Sequence, residues 1–112
     1  MNQRHYLAIS VKHSEYKWKF GKPCCLWGIR TADEAKRCFA GYTQFPESAE
    51  LYTLDEFHEH YPQPYIKTDE SVHMCVDFMR KYRKYDTVLI DYYEYLFYCA
   101  VTSLPTRKED AK

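Results

Sequence analysis

The chain has 112 residues, of which 29% are charged and 18% aromatic, with 16 Lys+Arg against 16 Asp+Glu and only three glycines and five prolines. That length matches one domain with a core of its own, and so aromatic a composition excludes a disordered or low-complexity chain. No stretch approaches the roughly 18 consecutive apolar residues that a membrane helix needs.

A strand is predicted over residues 6–11 (YLAISV). Arg4, His5, Lys12 and His13 bracket this apolar run, so it does not read as the h-region of a signal peptide. Five cysteines, an odd number, do not suit a secreted disulfide framework. Together these point to a cytoplasmic protein. Residues 12–22 form a basic and aromatic connection, and 24–31 (CCLWGIRT) read as a second strand interrupted by Gly28. Thr31 and Glu34 have the spacing of a capping box for a short helix over 32–39. A hairpin pairing 24–30 with 37–43 fits the same residues. Gly41 and Pro46 mark the next breaks.

Residues 50–53 (ELYT) are a short strand candidate. Thr53 and Glu56 form a second capping box, before Leu54, Phe57, His58 and Tyr61 at helical spacing, and Pro62 stops that helix. Pro62, Gln63 and Pro64 make a break within the domain. A long helix is expected over 69–85, with Thr68 as cap and Asp69 and Glu70 in the first turn. Its apolar stripe is Val72, Cys75, Val76, Met79 and Tyr82, and Arg80, Lys81, Arg83 and Lys84 suit its C-terminal end. Residues 87–90 (TVLI) read as a buried strand. Asp91 then caps a helix running to Ser103 with Leu96, Cys99 and Ala100 inward, although 92–101 also fit a strand. The expectation is one α+β domain over 1–105, a small mixed or antiparallel sheet flanked by two to four helices, followed by a polar tail over 106–112.

Zero net charge hides two opposed blocks. Residues 1–37 carry eight basic and three acidic side chains, whereas 38–66 carry no Lys or Arg and five acids: Glu47, Glu50, Asp55, Glu56 and Glu59. Opposed blocks in an aromatic chain suggest contact surfaces. The acids alternate with Tyr52, Phe57 and Tyr61, so the predicted partner-binding face is acidic and aromatic and suits a basic surface on another protein. The second candidate is a nucleic-acid contact made by Lys12, Lys17, Trp18, Lys19, Phe20 and Lys22, where cations would meet phosphates and rings would stack on bases. Against it stands the absence of any positive balance. A third is a small-ligand or enzymatic pocket around Trp27, Tyr42 and Tyr52.

Nothing in the spacing marks a metal, a cofactor or a reaction centre. There is no C-x-x-C pair, and His58 and His60 diverge if they lie on a helix. No G-x-S-x-G, H-E-x-x-H or phosphate loop occurs, and no His is marked as partner to Cys38, Cys75 or Cys99. The cysteines read as small buried hydrophobes. These absences favour a protein without enzymatic activity.

Trp27-Gly28, then Gly41-Tyr42-Thr43, then 49–57 (AELYTLDEF) resemble a loose group of small proteins carried by bacteria, their phages and mobile elements. The resemblance covers about residues 5–60 and places no functional residue. It implies a setting in which small compact proteins bind and block a host defence protein, as anti-CRISPR proteins do. The expected function is therefore that of a stoichiometric inhibitor using the acidic-aromatic face.

Overall fold

All five residues of β1 (Tyr6–Ser10) are buried. They form the middle strand of the structure, a computed structural model that describes residues 4–14, 23–60, 65–68 and 87–110. The other strands are β2 (Leu26–Trp27), β3 (Tyr42–Thr43), β4 (Tyr65–Thr68) and β5 (Thr87–Asp91). Their order is β3-β2-β1-β5-β4. β1 pairs antiparallel with β5, Tyr6 opposite Asp91 and Ser10 opposite Thr87, and antiparallel with β2 through Ile9 and Leu26. β4 lies parallel to β5, with Tyr65 opposite Thr87 and Thr68 opposite Ile90. Among the described residues the helices are α1 (Val11–Ser14), α2 (Leu54–His60) and α3 (Tyr92–Thr102), with a 3-10 turn at Lys108–Asp110. The expected α+β class is what the chain adopts.

Strand alternation divides the core between the two faces of the sheet. Leu7, Ile9, Val88 and Ile90 face one way and pack with Leu26, Tyr95, Tyr98 and Cys99. Tyr6, Ala8 and Leu89 face the other way and pack with Tyr52 and Phe57, while Trp27, Phe39 and Leu54 close over them. The first layer is covered by α3 and the second by α2 and the segment 31–40.

Both helices that cover the sheet start at a local cap. The Thr53 hydroxyl accepts from the Glu56 N–H at 3.0 Å, and the Glu56 carboxylate accepts from the Thr53 N–H at 2.9 Å, so the second capping box forms as its spacing predicts. Asp91 caps α3 by accepting from the Tyr93 and Glu94 N–H groups at 3.0 and 3.3 Å. At the other end Ser103 takes a left-handed conformation (φ 61°) and the Leu104 N–H reaches the Cys99 carbonyl at 2.9 Å.

Several expectations change: the strand read over 6–11 stops at Ser10, residues 11–14 are helical and not part of a loop, and the strand read over 24–31 shortens to Leu26–Trp27. Residues 32–39 form no helix, and the hairpin alternative is the one realised, because β2 pairs antiparallel with β3. Residues 92–101 are helical and not a strand, but the Asp91 cap sets a phase that turns Tyr95 and Tyr98 inward with Cys99 and leaves Ala100 exposed. Residue 52 makes only an isolated bridge to Tyr6, so 50–53 is not a full strand. Residues 15–22 of the connection expected over 12–22, the break at Pro62 to Pro64 and the helix over 69–85 lie outside the described residues.

Candidate functional site

Loop 31–40 has no regular secondary structure, yet it is fixed from beneath by one carboxylate. Glu50 Oε1 accepts from the Thr31 N–H at 3.2 Å, from its neighbour's Leu51 N–H at 3.1 Å and from Arg37 Nη1 at 2.9 Å. Oε2 accepts from the Cys38 N–H at 3.0 Å and from the Thr31 hydroxyl. The Glu50 side chain is 0% exposed and that of Arg37 4%. Burial raises the Glu50 carboxyl pKa, but the hydrogen bonds from Thr31, Cys38 and Leu51 outweigh it, and the net shift is downward. A carboxylate with five donors has no lone pair turned toward a substrate, so its chemistry here is anchorage.

Arg37 carries the same anchorage outward. Its Nη2 donates to the Ala32 carbonyl at 2.6 Å and the Ala35 carbonyl at 3.1 Å, and Nη1 donates to the Leu51 carbonyl at 3.2 Å. The guanidinium thus bonds carbonyls of the loop and of the neighbouring residue 51, sharing the Ala32 carbonyl with the Ala35 N–H. Tyr52 adds a further tie by donating its hydroxyl to the Cys38 carbonyl.

A second arginine joins this loop to α2. Arg4 donates from Nε and Nη2 to the Glu56 carboxylate at 2.9 and 2.7 Å, and from Nη1 to the Asp33 carbonyl. Its hydrogen bonds, aided by the Thr53 N–H and opposed by burial, hold the Glu56 carboxyl at about 2. The loop tip, Ala32 to Lys36, stays exposed, as do Asp55, His58, Glu59 and His60 on α2. Arg4 therefore links the two elements that carry the exposed carboxylates of Asp33, Glu34, Asp55 and Glu59.

This surface differs from the acidic-aromatic face expected from the sequence. Asp55 and Glu59 are exposed, as that face requires. Glu50, Tyr52 and Phe57 are fully buried, so they are not available as contact residues. Phe57 turns inward because the Thr53 cap directs that side of α2 onto Tyr52 and Phe39, with ring centroids 5.3 and 5.9 Å away. Glu56 is half-buried against Arg4. Glu47 is exposed but belongs to another contact, accepting from the Thr106 hydroxyl at 2.8 Å while its N–H reaches the Thr106 carbonyl at 3.1 Å. Tyr61 lies outside the described residues. Asp33 and Glu34 were missed because they sit in the block with positive balance, and only the Arg4 contact brings their loop to α2.

The ligand pocket expected from Trp27, Tyr42 and Tyr52 does not assemble. Tyr52 is in the core, and Trp27 packs edge-on against Tyr42 with centroids 6.0 Å apart. Tyr42 instead lines an open cleft of about 340 Å³ with Pro23, Cys24, Cys25, Thr43, Gln44 and Phe45. Among the described residues no charged side chain lines it. Of the nucleic-acid candidates, Lys17, Trp18, Lys19, Phe20 and Lys22 lie outside the described residues, and only the backbone of Lys12 is described, in α1. Among the described residues no three His, Cys, Asp or Glu side chains converge as a metal site. Burial raises the Cys24 thiol to about 12 and the Cys99 thiol to about 11, which keeps both protonated and packed as apolar groups.

No family model matches the chain, and neither does any curated protein or solved structure.

Proposed function

We propose that this protein is a non-catalytic binding domain that docks a basic surface of another protein through Asp33, Glu34, Asp55 and Glu59. The observation that carries this reading is the double arginine–carboxylate clamp, Arg37–Glu50 and Arg4–Glu56, which holds loop 31–40 in one conformation and joins it to α2. A loop ordered before contact loses less conformational freedom on binding, so more of the contact energy appears as affinity. Four exposed carboxylates on the joined elements supply the charge that steers a basic partner and fixes its register. The clamp uses Glu50 and Glu56 as internal parts, so the partner meets the carboxylates they leave outside.

The resemblance over residues 5–60 makes the partner class a host defence protein, with this chain as a stoichiometric inhibitor from a phage or mobile element, acting in the cytoplasm. The test is affinity capture of the full chain from a bacterial lysate, with and without nuclease. It is repeated with Asp55→Lys combined with Glu59→Lys, and separately with Asp33→Lys combined with Glu34→Lys. The expected result is one stoichiometric protein that survives nuclease and is lost with either double reversal while the circular dichroism spectrum is unchanged. Capture that depends on intact nucleic acid, or that survives both reversals, overturns the proposal.

A further inference from the structure

Pairing between β2 and β3 ends at Leu26 and Thr43, and the cleft of about 340 Å³ is lined by residues that adjoin this end on each side. The Gly28 N–H donates to the Gly41 carbonyl at 2.8 Å, which fixes the phase of the ladder. Continued in that antiparallel register, Gln44 would face Cys25, and Cys24 would exchange two backbone hydrogen bonds with Phe45. Neither of those bonds forms. The Cys24 N–H donates to the Tyr95 hydroxyl at 3.0 Å, the Phe45 N–H to Thr43 Oγ1 at 3.1 Å, and the Phe45 carbonyl accepts from the Ser48 N–H at 2.9 Å. That leaves the Cys24 carbonyl without a donor among the described residues. The Cys25 carbonyl accepts from Ser10 of β1 at 2.8 Å, so the carbonyl one residue earlier turns the other way, toward 42–45. An acceptor in a buried residue calls for a donor.

We propose that this cleft binds an uncharged planar ring whose edge carries an N–H beside a C=O, the lactam edge of a uracil-type base. Its walls suit a ring. Tyr42 is 46% exposed, yet it is held in place by His13, with ring centroids 4.4 Å apart, and by Trp27, edge-on at 6.0 Å. Phe45 and Pro23 extend the apolar lining. Gln44 also lines the cleft, is exposed, and its amide hydrogen-bonds no described group. The ring stacks on Tyr42, its N–H donates to the Cys24 carbonyl, and its C=O accepts from the Gln44 amide. Stacking on an aromatic side chain, with hydrogen bonds along the base edge, is how proteins read unpaired bases. The absence of charge in the lining selects a neutral ligand, because an ion would lose its water there without gaining a counter-charge. The volume is near the lower end for ligand sites and suits a base without its phosphate. The site is separate from the acidic docking surface, since none of Asp33, Glu34, Asp55 and Glu59 lines it.

Titration of the full chain with uracil and with 1,3-dimethyluracil, followed by amide NMR, tests this. Uracil should give saturable shifts at Cys25, Gln44 and Phe45, with a Kd on the order of millimolar for so small a ligand. Dimethyluracil keeps the ring and both carbonyls but has no N–H, so it should bind about tenfold more weakly, the loss of one hydrogen bond. Gln44→Ala changes an exposed side chain and should weaken uracil by a similar factor while the rest of the amide spectrum stays in place. Tyr42→Ala should weaken both compounds together, because stacking is common to the two. Shifts that do not saturate, or that fall away from the cleft, overturn the proposal, whether the cleft is then filled by the chain itself or takes no ligand. Equal affinity for the two compounds, or uracil binding unchanged in both Gln44→Ala and Tyr42→Ala, overturns it too. None of these results bears on the acidic surface, whose test reads capture of another protein.

Discussion

Arg37 and Glu50 meet at 2.9 Å with their side chains 4% and 0% exposed, thirteen residues apart in the chain with strand β3 between them in sequence. Removing one partner of such a pair leaves the other charge buried without compensation. Glu50→Ala should therefore cost about 3–5 kcal/mol in urea unfolding. Amide exchange of Thr31 and Cys38 should rise more than that of Val88. If exchange rises equally everywhere, the carboxylate is a general core element and not the anchor of loop 31–40.

Gly28 and Gly41 both have positive φ, 77° and 85°, yet they should respond differently to alanine. A Cβ on Gly28 meets the Tyr52 hydroxyl at 2.5 Å, the Cys38 carbonyl at 2.6 Å and Glu50 Cβ at 2.8 Å. A Cβ on Gly41 meets only the flexible end of Ile29, at 3.4 Å. Gly41→Ala should carry the left-handed penalty alone, about 1–2 kcal/mol. Gly28→Ala adds backbone displacement at the point where β2, loop 31–40 and residue 50 meet, so its loss should be clearly the larger. Thermal melts of the two variants decide this, and equal losses would remove the steric account.

Acid should weaken the Arg4–Glu56 tie in a defined window. The Glu56 carboxyl is held at about 2 against an ordinary 4.5, mainly by hydrogen bonds from Arg4. A folded-state value below the unfolded one means that the stabilisation is complete above about pH 5 and is lost as pH falls toward 2. In Arg4→Met the Glu56 carboxyl should titrate closer to 4.5 by carboxyl NMR, and stability should fall less steeply over the same range. A Glu56 titration unchanged by Arg4→Met would show that the Thr53 N–H and not the guanidinium sets it.

Thiol labelling separates the cysteines. Cys24 and Cys99 are buried and their thiols are raised to about 12 and 11 by burial, so native protein at pH 8 holds almost no thiolate at either. Iodoacetamide followed by peptide mapping should find both unlabelled until denaturant is added. Prompt native labelling at Cys24 would mean that the cleft beside it opens to its sulfur.

Two of the T-x-x-E patterns show where local reading stops. Thr53 and Glu56 form their box because nothing else competes for them until Arg4 arrives at the outer side of the same carboxylate. Thr31 has the same spacing to Glu34, but its hydroxyl and N–H both go to Glu50, nineteen residues on, and no helix starts. Hydrogen-bond groups take the partner that burial strengthens, and a fully buried carboxylate outcompetes one in water.

What the amino-acid order determined by itself was local. Short continuous apolar runs specified β1 and β5, Asp91 specified the start of α3, and Thr53 with Glu56 specified α2, because each rests on contacts within a few residues. The fate of the acidic block was a tertiary matter. Glu50, Glu56 and Asp55 lie in one acidic block, yet Glu50 is buried beneath loop 31–40, Glu56 is paired with Arg4 and Asp55 is exposed. Charge patterning reports how many carboxylates a segment holds. Only the packing of distant segments decides which of them are desolvated and paired, because that depends on what the fold brings beside each one.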